Sequence, residues 1–157
     1  MIVIGYQGIG KSTLAGQNNC VDLESGNFWV DGKRDDEWYK PYCHIALHLH
    51  QQGYVVFTSS HAVVREYLKT IASEDDRKCI FVCCPEKELK DAWIHKLQSR
   101  YEDTGLEKDY KAWKNAEDRF YENIDELHHS GFKIIHLDIM AYNLAEEIAY
   151  CKEKRCH

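Results

Sequence analysis

Gly5-Tyr6-Gln7-Gly8-Ile9-Gly10-Lys11-Ser12 decides how this chain reads. It fits the spacing G-x-x-x-x-G-K-[ST]. Met1–Ile4 before it is a short apolar run that reads as a strand, and Lys11–Gln17 after it reads as a short helix. Glycines let consecutive backbone N–H groups turn toward one point and cradle phosphate oxygens. A helix start adds partial positive charge. Lys11 can reach the outer phosphates, and the Ser12 hydroxyl can hold a metal ion. Gly8 is a further permissive position, and Thr13 can touch the innermost phosphate. Nucleotide binding is therefore expected of Gly5, Gln7, Gly8, Ile9, Gly10, Lys11, Ser12 and Thr13, with Ser12 as the metal ligand.

Outward from this loop, strand and helix patterns alternate. Cys20–Leu23 is a second strand, Tyr54–Thr58 a third, Cys79–Cys84 a fourth and Lys133–Asp138 a fifth. Helical spacing runs over Glu37–Gln52 through Tyr42, Ile45, Ala46 and Leu49. It recurs over Ala62–Ala72, Glu86–Tyr101, Ala112–His129 and Asn143–Lys154. Glu102–Lys111 between the third and fourth of these is strongly polar. No repeat or Pro-rich linker divides the 157 residues, so one domain over 1–157 is expected. The alternation predicts an α/β fold with a parallel sheet. Ligands then bind at the carboxyl ends of the strands. That points to Gly5–Thr13, Asp22–Asn27, Thr58–Arg65, Cys84–Glu86 and Asp138.

The net charge of −6 argues against a non-specific nucleic-acid binder, which needs a basic stripe. The seven cysteines form no CxxC pair, which argues against a zinc site of usual spacing. Cys79, Cys83 and Cys84 read as small hydrophobes of a buried strand. Reduced thiols suggest the cytoplasm. MIVIG is too short for a signal core, and no run approaches a membrane span. His44 and His48 are four apart, but no HExxH pattern surrounds them.

GYQGIGKST, VDLESGNF, GYVVFTSSHAVVREYL and a CP-started helix ending in QSRY resemble the small P-loop kinases of the nucleoside-monophosphate-kinase type. The look is nearest to the phage and prophage nucleotide-kinase-like proteins. The resemblance implies a three-layer P-loop NTPase sandwich with a five-stranded parallel sheet in order 2-3-1-4-5. It implies ATP with Mg²⁺ as donor and a helical lid over about 98–120. It also implies that Asp22 faces the phosphoryl acceptor, and that lid cations such as Arg100 and Arg119 stabilise transferred charge. One departure stands out. Where these kinases often place an Asp at the end of the third strand, this chain reads Thr58-Ser59-Ser60-His61. Asp22 is the nearest replacement.

Phosphoryl transfer is thus expected of Lys11, Asp22, Arg100 and Arg119, and acceptor binding of Asp22, Glu24, Ser25, Ser59, Ser60, His61 and Arg65. A carboxylate can take the proton of an attacking hydroxyl, and Arg suits phosphate recognition. The same residues have plainer uses. Asp22, Ser25 or Ser60 can cap helices, Arg65 can pair with a neighbour, and the lid cations can belong to a solvated helix face. Phe28, Trp29, Trp38 and Tyr39 can pack in the core or wall an acceptor base. The expected activity is ATP-dependent transfer to a nucleotide, nucleoside or similar small acceptor, by a monomer or homodimer. The alternative is an ATPase or nucleotide-dependent switch without such an acceptor.

Overall fold

A computed structural model of the chain describes residues 1–17 and 19–155; Asn18, Cys156 and His157 lie outside the described residues. The order of elements begins with β1 (Ile2–Gly5), α1 (Lys11–Leu14), β2 (Cys20–Asp22), β3 (Trp29–Val30) and β4 (Lys33–Arg34). It continues with α2 (Tyr39–Gln51), β5 (Val55–Ser59), α3 (Ala62–Ile71), α4 (Glu74–Lys78) and β6 (Ile80–Pro85). It ends with α5 (Lys90–Thr104), α6 (Glu107–His128), β7 (Lys133–Leu137) and α7 (Leu144–Arg155). Five strands make one parallel sheet in the order β2-β5-β1-β6-β7. The labels differ from the expected 2-3-1-4-5 because β3 and β4 form a separate antiparallel ribbon and take two numbers. Counted over its own strands, the sheet sets the chain's second, third, first, fourth and fifth side by side. This α/β architecture is compatible with the expected sandwich.

Burial follows position in the sheet. β1 and β6 are buried along their whole length, as strands covered on both faces must be. Cys83 and Cys84 lie fully buried in β6 among Ile80, Phe81 and Val82. Among the described residues, Cys43, Cys83 and Cys84 are buried free thiols. At the edge, β7 exposes Lys133 and His136 and buries Ile135 and Leu137.

The helices cover this sheet with apolar stripes. α2 packs on α3 and on β1 and β5. Its buried stripe is Tyr42, Cys43, Ala46 and Leu47, whereas Ile45 faces outward. Cys43 acts as the small apolar residue that the spacing argument passed over. α5 and α6 form a hairpin, α6 leaning on β6. The polar stretch Glu102–Lys111 is helical up to Thr104 and again from Glu107, with Gly105 left-handed between. Pro85 closes β6 instead of opening a helix, and a 3₁₀ turn over Lys87–Leu89 precedes α5. Among the described residues, no helix is long and apolar enough to cross a membrane.

One side chain ties two strand ends together at the carboxyl edge. The Tyr42 hydroxyl donates to the Leu23 carbonyl at 2.6 Å and accepts from the Ser59 N–H at 2.8 Å. Removing it leaves two partly buried backbone groups short of a partner. Tyr42→Phe is therefore expected to lower the unfolding free energy by about 2 kcal/mol. Urea titration checks this, with an unchanged slope showing that only stability moved.

Candidate functional site

The turn after β1 is built around two glycines with positive φ, Gly8 at 85° and Gly10 at 99°. A Cβ on Gly8 would also come within 2.9 Å of Leu97 and 3.3 Å of the Trp93 indole nitrogen. Both conformation and space thus demand glycine. Two of the loop's carbonyls, those of Gln7 and Ile9, are held by side chains from other elements. The Trp93 indole N–H donates to the Gln7 carbonyl at 2.9 Å. The Tyr142 hydroxyl donates to the Ile9 carbonyl at 2.9 Å, and Lys96 donates to that hydroxyl at 2.9 Å. Trp93 and Tyr142 stack nearly parallel, with the Lys96 ammonium over both rings. Among the described residues, no carbonyl takes the N–H groups of Gly8, Ile9 or Gly10. They are left as donors around one concavity. α1 spans only four residues, so this nest of N–H groups outweighs any helix dipole.

That concavity opens into a cleft whose empty space, open solvent included, is about 710 Å³. Gln7 to Ser12 line one wall. Asp22 at the end of β2, Glu24 and Ser25 just beyond it, and Ser59 at the end of β5 line it too. Arg100, Lys108, Asp109 and Ala112 close it from the α5–α6 hairpin. The hairpin is tied to the loop, for the Gln7 side-chain amide donates to the Ala112 carbonyl at 2.8 Å.

Charge in the cleft is concentrated, and burial acts on two of its members, Lys11 and Asp22. The Lys11 ammonium donates to the Gly5 carbonyl at 3.0 Å. Burial lowers its pKa, and the charges of Asp22 and Glu24 pull the other way. Burial raises the pKa of Asp22 above the ordinary carboxylate value, against the pull of Lys11 and, more weakly, of Lys108 and Arg100. Arg100 meets the buried carboxylate of Asp109 at 2.7 Å, and Asp109 also accepts from the Thr104 hydroxyl at 2.6 Å.

Of the residues expected from sequence, the cleft brings together Gln7, Gly8, Ile9, Gly10, Lys11, Ser12, Asp22, Glu24, Ser25, Ser59 and Arg100. Gly5 contributes only the carbonyl that holds Lys11. Thr13 lies on α1 outside the lining. His61 stands next to it, its Nδ1 2.9 Å from the Ser59 hydroxyl. Ser60 and Arg65 turn away. The Arg65 guanidinium is buried, donates to the Ser60 carbonyl at 2.6 Å and pairs with Glu126 of α6 at 3.3 Å. It joins α3 to α6, the plainer of its two uses. Arg119 pairs with Glu122 at 2.8 Å and Glu126 at 3.4 Å on a half-exposed kink of α6, away from the cleft.

Lys108, Asp109 and Ala112 were not singled out by the sequence, because they sit in a stretch whose charges alternate like those of any solvated helix face. Tyr142 carried no motif at all. Lys96, one turn before Arg100 on α5, serves behind the loop. Comparison of the chain with protein-family models, with curated proteins and with solved structures gives no match.

The shift at Asp22 has a sign that can be measured. Because its folded pKa lies above the ordinary 3.8, the folded state holds the proton more tightly than the unfolded chain. Ionisation then costs stability once the pH rises past that value. Asp22→Asn is expected to be more stable than wild type near pH 7, with the difference fading at about pH 3. Thermal melts across that range check it. A variant less stable at neutral pH would mean that attraction to Lys11 outweighs burial.

Proposed function

We propose that the chain is a P-loop kinase-like domain that binds ATP with Mg²⁺ and transfers the terminal phosphoryl group to a nucleotide, nucleoside or similar small acceptor. The observation that carries this is the loop itself: N–H groups left free toward the cleft by carbonyls pinned behind them, with Lys11 at their end facing Asp22. Such a nest suits phosphate oxygens, and a lysine at its end suits the outer phosphates. Gln7, Gly8, Ile9, Gly10, Lys11 and Ser12 would hold the donor.

The donor set fits the metal. Mg²⁺ is commonly held by one or two protein oxygens together with substrate phosphates and water. Ser12 would supply a hydroxyl directly, and Asp22 a carboxylate through water. Bound there, Mg²⁺ would neutralise phosphate charge. The protein's own residues do the rest. Lys11 and Arg100 would offset charge on the moving group, Arg100 aimed by Asp109, and Lys108 would add a further cation. If the acceptor is a hydroxyl, Asp22 would take its proton. If it is a phosphate, Asp22 would orient it. The setting proposed is the cytoplasm, with which the free thiols of Cys43, Cys83 and Cys84 agree.

A second reading has one observation in its favour. β5 ends in Ser59 with no carboxylate following at Ser60, so the usual place for a metal-side acid is empty of one. A nucleotide-dependent switch with slow hydrolysis needs no acceptor and less catalytic apparatus.

Magnesium-dependent ADP release from ATP separates the two, measured with and without nucleoside monophosphates, nucleosides and small hydroxy metabolites. A kinase gives many-fold stimulation by one acceptor; a switch gives slow release that no acceptor changes. Lys11→Ala is expected to lose ATP binding and turnover together. Asp22→Asn is expected to retain ATP binding and to lose turnover by about 10²–10³-fold or more. Arg100→Ala is expected to lower kcat far more than ATP affinity.

A further inference from the structure

The parallel sheet has a second edge, at the amino ends of its strands and opposite the cleft. β6 starts there at Ile80 and β7 at Lys133, with Phe81 and Lys133 in register. The helix α3 leaves the carboxyl end of β5 and runs back, so its last turn, with Lys69, reaches this edge. The short α4 follows and delivers Arg77 and Lys78 immediately before β6. Lys69, Arg77, Lys78 and Lys133 line one concavity there, together with Glu74 and the half-buried Phe132. Its empty space, open solvent included, is about 950 Å³. Four cations from three elements thus meet in a chain whose net charge is −6. Like charges gathered in one hollow repel, and they draw in anions.

The acids nearby hold these cations weakly. Arg77 donates its Nε–H to the Ala72 carbonyl at 3.1 Å, which anchors the side chain and leaves the terminal nitrogens for another partner. Among the described residues, no carboxylate lies within 4.0 Å of its guanidinium, and Glu74, the one acid in the lining, lies within 4.0 Å of no cation. Lys69 pairs with Glu66 at 2.8 Å and Lys78 with Asp75 at 2.7 Å, three residues apart in each case. The Glu66 and Asp75 side chains are 66% and 91% exposed, so both pairs sit in water and are worth little. Lys133 is positioned by donating to the Lys78 carbonyl at 3.0 Å, which ties the start of β7 to the end of α4.

We propose that this concavity is a second anion site, separate from the cleft, that takes a run of phosphate groups: inorganic polyphosphate or the polyphosphate of a nucleotide. Successive phosphates present several charged oxygens along a line, which suits cations spread over α3, α4 and β7, whereas a lone carboxylate offers one charge to four. The anchored Arg77 fork can take two oxygens of one phosphate, and the three lysines can act as point charges on the others. The site does not depend on the phosphoryl-transfer reading of the cleft.

Inorganic triphosphate, without metal and at near-physiological salt, is titrated into the ¹⁵N-labelled chain while backbone amide shifts are followed. Saturable shifts are expected at Arg77, Lys78, Gly131, Phe132 and Lys133. Arg77→Gln and Lys133→Gln are each expected to weaken binding read at the remaining amides of this group by about 5- to 10-fold. Arg77→Lys, which keeps the charge and loses the fork, is expected to recover part of that loss. Lys40→Gln removes the same charge from the exposed start of α2 and is expected to change binding by less than about twofold. No shift at these five amides, or equal weakening by Lys40→Gln, overturns the assignment. The amides of Gly8 and Gly10 report the loop after β1 in the same spectra, so failure there counts against the donor-site reading alone. A parallel titration with ATP separates the two sources. Tighter binding of ATP than of triphosphate at Gly131 and Phe132 supports the site and names a nucleotide; equal or weaker binding supports it and names polyphosphate itself.

Discussion

A loop can offer N–H groups to a ligand only if its carbonyls are satisfied somewhere else. That constraint governs the site. The Gln7 and Ile9 carbonyls are taken by the Trp93 indole and the Tyr142 hydroxyl, and the Gly5 carbonyl by Lys11. Trp93 comes from α5 and Tyr142 from the segment after β7, so elements distant in sequence converge behind one turn. The parallel sheet places β1 between β5 and β6, which fixes where that turn emerges. Stacking of Trp93 on Tyr142 then fixes both donors, and glycine at position 8 leaves room for the Trp93 indole nitrogen.

Inside the cleft, opposite charges are kept close but only partly paired. Lys11 and Asp22 are both shifted toward their neutral forms by burial, each moderated by the other. Such a pair is costly to keep in the absence of ligand, and incoming phosphate changes the balance for both. Arg100 is treated differently: a buried Asp109, itself bonded to Thr104, keeps the guanidinium in one place. Long cationic side chains lose much freedom on ordering. Here the protein has met that cost in advance.

The sequence made most of the frame legible because period and punctuation coincided. Gly5–Ser12 stands between an apolar run and a helix, and the strand runs YVVFT, CIFVCC and KIIHLD are dense in β-branched or buried residues. The ribbon Trp29–Arg34 was missed although Asp31-Gly32 is a turn signal, since two-residue strands give no periodicity. α4 was missed although Ser73 and Asp76 form a capping box, because its five residues carry no apolar stripe. Arg65 and Arg119 illustrate a different limit. Both are cations on helices near the right edge of the sheet, yet Glu126 draws both away from the cleft. Which face of a helix a cation takes depends on the partner opposite, and nothing local announces that partner. Tyr142 shows the same thing for a residue of unremarkable surroundings.

The contacts that shape the loop also span nearly the whole chain. Gln7 reaches Trp93 over 86 positions, Ala112 over 105, and Ile9 reaches Tyr142 over 133. During synthesis from the ribosome, β1 and its turn emerge first, yet their neighbours in the sheet and the clamp behind them come far later. Long-range pairings of this kind close slowly, and the packing behind the loop waits for the segment that carries Tyr142. A nascent chain halted before Tyr142 would carry the glycine loop without the hydroxyl that turns it, and so would hold the signature of the site well before it holds the site.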